Sequence, residues 1–125
     1  MDQKIWSING IELELDISDA DGMERYETAF EIMAEEEKNI PKEGKRSAQI
    51  RVYCKLFRNL FANIFGEESA DMIFKGVPVS CEAYDEIYVS FLDFVREQSV
   101  RSAAKRAEII TKYTPNRQQK RSMKK

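Results

Sequence analysis

The sequence predicts an α+β protein that is mainly helical, with an N-terminal β-hairpin packed on a bundle of about four helices and a basic C-terminal helix that ends in a flexible tail. Apolar and polar residues alternate before Asp16, which is typical of a half-buried strand. After Asp16 apolar residues recur every three or four positions, which is typical of amphipathic helices. A chain of 125 residues, 42% of them hydrophobic, can build one modest core. We therefore assign residues 1–112 to a single domain and residues 113–125 to the tail.

The hairpin is predicted by the Asn9-Gly10 pair, because a type I′ turn needs positive φ at both central positions and these residues tolerate it well. A two-residue loop places Trp6 opposite Leu13 and Ile8 opposite Ile11. The face expected to pack on the helices consists of Trp6, Ile8, Ile11, Leu13 and Leu15. A lone hairpin is marginally stable in water, so we expect Trp6 to be buried against the helices.

Four helical segments are predicted after the hairpin. They run from near Ala20 to the acidic run at 35–37, from Ser47 to Phe65, from Ser69 to Lys75, and from Cys81 to Lys112. Ser18 or Asp19 caps the first segment, Gly66 closes the second, and Ser80 caps the last. The core-facing stripe of the first helix is predicted to be Met23, Tyr26, Phe30 and Met33.

The last predicted helix changes character after Gln98. Its apolar residues become smaller and its charged residues become basic, which indicates that this half projects from the body. The apolar positions there are Val100, Ala103, Ala104, Ala107 and Ile110. Small residues would let a partner helix approach closely.

Charge is distributed unevenly along the chain. Residues 98–125 hold nine basic residues and one acidic residue, a net charge of +8, whereas residues 1–97 have a net charge of −10. Such asymmetry is typical of an interaction segment. The candidate partner-binding residues are Arg101, Lys105, Arg106, Arg117, Lys120, Arg121, Lys124 and Lys125. An acidic protein ranks above nucleic acid as the expected partner, because residues 116–125 contain no aromatic side chain to stack on bases. A tail that only aids solubility ranks equally with an acidic protein partner and above nucleic acid.

Composition argues against catalysis and metal binding. The chain contains no histidine, and its two cysteines, Cys54 and Cys81, lie far apart. Histidine-based metal sites and Ser-His or Cys-His nucleophile pairs are therefore excluded. A calcium loop around Gly22 would place Ile17 and Thr28 at ligand positions, which does not fit. We expect no enzyme activity, no metal and no cofactor. We also expect a cytoplasmic protein without a membrane segment, because no apolar run has the length of a signal peptide or a span.

Several segments resemble a family of small proteins encoded in phages and prophages of Gram-positive bacteria. The resemblance is carried by residues 8–15 (INGIELEL), 19–21 (DAD), 24–27 (ERYE) and 113–121 (YTPNRQQKR). Such proteins look like tail assembly chaperones, which hold the tape measure protein before the tail tube forms around it. The resemblance implies a non-enzymatic protein of the host cell cytoplasm without catalytic residues. Its expected partners are the tape measure protein, the tail tube protein and further copies of itself in a homo-oligomer.

Two other functions fit the same features. A nucleic-acid-binding regulator would use the basic C-terminal segment to neutralise phosphates. A phage-encoded inhibitor of a host defence protein would also be small, charged and non-catalytic. Both remain alternatives to the chaperone hypothesis.

Overall fold

The computed structural model describes residues 4–113 and confirms the predicted fold class. Two antiparallel strands form an N-terminal hairpin, and four helices follow. The elements are β1 (Ile5–Ile8), β2 (Ile11–Glu14), α1 (Ala20–Glu37), α2 (Arg46–Phe65), α3 (Glu67–Ile73) and α4 (Cys81–Tyr113). Helix α2 lies at the centre and contacts α1, α3 and α4, while β1 packs on α4 and β2 packs on α3.

The hairpin has the predicted turn and register. Asn9 and Gly10 both have positive φ, at 47° and 78°, as a type I′ turn requires. Trp6 pairs with Leu13 and Ile8 pairs with Ile11. The Asn9 side-chain amide donates to the carbonyl of Ile73, so the turn is also anchored on the end of α3.

Trp6 lies at the centre of the core, as predicted, with 3% of its surface exposed. Its ring stacks on Phe61 at 5.4 Å between centroids and meets Phe91 edge-on at 5.2 Å. The indole N–H donates to the Ser90 hydroxyl at 3.1 Å, which satisfies its one polar group. The hairpin, α2 and α4 are therefore joined through a single side chain.

The predicted core stripe of α1 is wrong at Met23, which is 37% exposed. The first turn of α1 instead faces inward through Gly22, which lies against the linker between β2 and α1. A Cβ atom on Gly22 would be only 2.0 Å from the Asp16 carbonyl oxygen of that linker. Because Gly22 faces inward, the next residue, Met23, is turned outward. Ala29 and Met33 are the buried side chains further along the helix. The N-cap is Asp19, whose carboxylate accepts from the Gly22 N–H at 3.2 Å.

Helices α2 and α3 are joined without a linker, which the sequence did not predict. Gly66, at φ +101°, ends α2 and precedes α3, so α3 begins two residues before the predicted Ser69. Arg58 fixes this junction, because it binds Glu67 at 3.0 Å and Asp71 at 2.5 Å. These carboxylates raise the pKa of the Arg58 guanidinium, with Asp71 the larger cause.

Candidate functional site

Helix α4 leaves the protein body at Gln98. This side chain is only 3% exposed. Its amide nitrogen donates to the Leu15 carbonyl at 2.9 Å, and its amide oxygen accepts from the Ile17 N–H at 2.5 Å. Gln98 thus satisfies two backbone groups of the linker between the hairpin and α1, and it ties that linker to α4.

The half of α4 that follows Gln98 projects into solvent, as predicted. Of the side chains described at 99–112, none is buried and only Ser102 is half-buried. At 1.5 Å per residue, the segment 99–113 extends about 22 Å. We call this segment the α4 projection. The α4 projection continues a helix of 33 residues, so the turns before Gln98 already nucleate it.

The structure places three of the predicted partner-binding residues on the α4 projection. Arg101, Lys105 and Arg106 are all exposed. Arg101 and Lys105 are four residues apart and share one side of the helix, and Lys112, which the prediction did not include, falls on the same side. Arg106 is turned about 100° away from Lys105. The other predicted residues lie outside the described part of the chain: Arg117, Lys120, Arg121, Lys124 and Lys125.

A cleft opens where the α4 projection passes the linker before α1. Its volume is about 590 Å³. Ile17 and Ile109 supply apolar surface, and Lys105 and Arg106 supply positive charge. Ser18, Ser102 and Ala103 complete the lining. We call this space the linker cleft.

Sequence reasoning missed both isoleucines of the linker cleft. Ile17 follows the hairpin outside any periodic segment, so no pattern marked it. Ile109 could have been found, because it lies seven residues after Ser102 and eleven after Gln98, on the side of α4 that faces the body. Its side chain is 46% exposed although it faces inward. The cleft therefore combines exposed apolar surface with two cations.

Burial raises the pKa of several side chains in the body of the protein. Burial raises the pKa of Tyr53, and its hydroxyl donates to Asp85 at 2.7 Å, which raises the pKa further. Burial also raises the pKa of the Cys54 thiol. Within residues 4–113, no group of three histidine, cysteine or acidic side chains could hold a metal ion. None of the helices in that range is long and apolar enough to cross a membrane.

Comparison with known proteins gives a family match. The family model described as "Family of unknown function (DUF6673)" matches residues 9–124. No curated protein and no solved structure matches the chain. The matched range runs from the hairpin turn through the whole α4 projection, so the chain belongs to the DUF6673 family.

Proposed function

We propose that this protein is a non-enzymatic phage tail morphogenesis protein, a tail assembly chaperone that holds the tape measure protein through the α4 projection. The observation that carries the proposal is the linker cleft. It brings half-buried Ile17 of the linker together with exposed Ile109, Lys105 and Arg106 of a helix that extends beyond the body. Exposed apolar surface rimmed by charge is typical of protein-binding sites.

The chemistry of the cleft indicates the kind of client. Its apolar floor suits one side of an amphipathic helix, as in helix-in-groove recognition. Its cations favour acidic residues at the edges of that helix. A long helical client such as a tape measure protein offers such segments, and the resemblance to tail chaperones supports this assignment.

Co-expression and co-purification with a phage tape measure protein test the proposal. We expect the tagged wild type to retain the client and the double variant Arg106→Glu/Ile109→Asp to retain at least tenfold less. The matched control is Lys75→Glu/Val79→Asp, which also reverses one positive charge and replaces one apolar side chain by aspartate, at exposed positions away from the cleft. Equal retention by both variants, or no retention by the wild type, would refute the proposal.

A nucleic-acid-binding role is the second candidate, because Arg101, Lys105 and Lys112 fall on one side of the α4 projection. Glu108 lies on the same side of the helix, and its negative charge weakens the attraction for phosphate. Fluorescence anisotropy with duplex DNA and with RNA separates the two functions. Binding at physiological salt, with a steep salt dependence that Arg101→Glu/Lys105→Glu abolishes, would replace the chaperone proposal with this one.

A further inference from the structure

A second cleft lies beyond the other end of α1, where the loop between α1 and α2 passes the first turns of α2 and α4. Its volume is about 370 Å³. The walls include the half-buried apolar side chains of Ile40, Ile50 and Tyr53. Lys42 and Arg46 also line the cleft, and both are exposed. We call this space the loop cleft.

The tyrosine wall of the loop cleft is held in place by two contacts. The Tyr53 hydroxyl donates to Asp85 of α4 at 2.7 Å. The Tyr53 ring meets Phe57 edge-on, with 4.9 Å between the ring centroids. Because the ring is held by both α2 and α4, this wall is formed before a ligand arrives, which lowers the entropic cost of binding.

The positive charge of the loop cleft is not neutralised by the body of the protein. Within residues 4–113, neither Lys42 nor Arg46 forms an ion pair. Arg46 also stands in the first turn of α2, where a cation opposes the helix dipole, and that turn contains no acidic residue. A negatively charged ligand would therefore relieve both the repulsion between the two cations and the unfavourable interaction with the dipole.

We propose that the loop cleft binds the C-terminal end of a partner polypeptide whose last residue is apolar. A C-terminal residue carries its carboxylate and its side chain on the same Cα atom, so one residue can meet both the cations and the apolar walls. The carboxylate accepts hydrogen bonds from Lys42 and Arg46. The last side chain packs on Ile40, Ile50 and Tyr53. An internal aspartate or glutamate would supply the charge without the apolar group.

The Gln49 side chain favours a peptide over a free organic acid as the ligand. Gln49 lines the loop cleft and is half-buried. Its side-chain amide makes no hydrogen bond to another residue that the structure describes. A primary amide both donates and accepts, which matches the C=O and N–H of the peptide group before the last residue. The volume of about 370 Å³ is near the lower end for ligand sites, which suits the last one or two residues of a chain.

Amide NMR titration with the peptide acetyl-Ser-Ser-Leu, which bears a free carboxylate, tests the proposal. We expect saturable shifts of the backbone amide signals of Gln49, Ile50 and Tyr53. The same peptide with a carboxamide end should bind at least tenfold more weakly, because it lacks the charge. Acetyl-Ser-Ser-Ser should lose as much, because it lacks the apolar side chain. Isocaproate, which has the carboxylate and a leucine-like chain without a peptide group, should also bind more weakly.

Charge reversal locates the binding site. Lys42→Glu/Arg46→Glu should weaken binding of the leucine peptide at least tenfold. The matched control is Arg51→Glu/Lys55→Glu, which also reverses one lysine and one arginine, at exposed positions of α2 outside the loop cleft, and it should bind like the wild type. Unchanged circular dichroism shows that the variants fold.

Four results would overturn the proposal: no saturable shift with the leucine peptide, equal binding of the carboxylate and carboxamide forms, equal binding of isocaproate and the peptide, or an equal loss in both charge variants. All of these variants leave the linker cleft intact. The outcome is therefore independent of whether the linker cleft holds the proposed client.

Discussion

Gly22→Ala is a substitution for which helix propensity and the structure predict opposite results. Propensity alone favours alanine over glycine inside a helix by up to about 1 kcal/mol. In the structure the added Cβ would lie 2.0 Å from the Asp16 carbonyl oxygen and 2.9 Å from its carbon. An unstrained contact between carbon and carbonyl oxygen is about 3.3 Å or more, so the linker must move by more than about 1 Å.

The linker cannot move freely, because hydrogen bonds hold Asp16 and the residues on either side of it. The Asp19 N–H donates to the Asp16 carbonyl at 3.3 Å, and Gln98 holds the flanking Leu15 and Ile17. Overpacking of this kind costs about 1–3 kcal/mol, and loss of the Asp19 cap adds about 1 kcal/mol. After subtraction of the propensity gain, we expect Gly22→Ala to lower the free energy of unfolding by about 1–3 kcal/mol.

Urea unfolding followed by the fluorescence of Trp6, the single tryptophan, measures this change. With a slope of about 1.5 kcal/mol per molar urea, the midpoint should fall by about 0.7–2 M. Ala104→Gly on the exposed α4 projection serves as the control, since it should lose only the propensity difference of about 1 kcal/mol. A Gly22→Ala variant as stable as the wild type, or more stable, would show that the contact between α1 and the linker is misplaced.

Two further predictions concern the same linker. Gln98→Leu should lower the free energy of unfolding by about 2–4 kcal/mol, because it leaves the Leu15 carbonyl and the Ile17 N–H without their partner. Hydrogen exchange should show a faster-exchanging amide at Ile17, and an unchanged exchange rate there would contradict the prediction. Asp16→Asn should make stability less sensitive to acid. The pKa of Asp16 is lowered, chiefly by the hydrogen bond from the Ser18 hydroxyl and less by Lys4. The ionised carboxylate therefore stabilises the fold at pH values above the unfolded pKa of about 3.9. This stabilisation is lost as the pH falls through the lower pKa of the folded protein. Unfolding curves between pH 5 and pH 2 should therefore converge for the two proteins, and a constant difference would exclude this role.

Local patterns accounted for most of the fold. The Asn9-Gly10 turn fixes its own register, because both residues accept positive φ and a two-residue loop leaves one pairing. The helix caps at Asp19 and Ser80 could also be predicted from the sequence, because each side chain accepts a hydrogen bond from a backbone N–H only three residues later. These features depend on residues close in sequence, which is why a single sequence contains them.

The features that were not predicted depend on contacts between distant segments. The inward position of Gly22 is set by the path of the linker, so periodicity assigned that side of α1 to Met23 instead. The linker cleft requires Ile17 and Ile109 to lie near each other across most of the chain, and only the fold brings them together. The projection of α4 was predictable because its composition changes at Gln98, but the role of Gln98 as the anchor was not.

Site-specific photocrosslinking at the linker cleft tests the central claim most directly. A photoreactive phenylalanine analogue in place of Ile109 should crosslink to the co-expressed tape measure protein, whereas the same analogue in place of exposed Val79 should not. Crosslinks from position 79 and none from position 109 would contradict the account, as they would show that the client binds the body and that the α4 projection does not hold it.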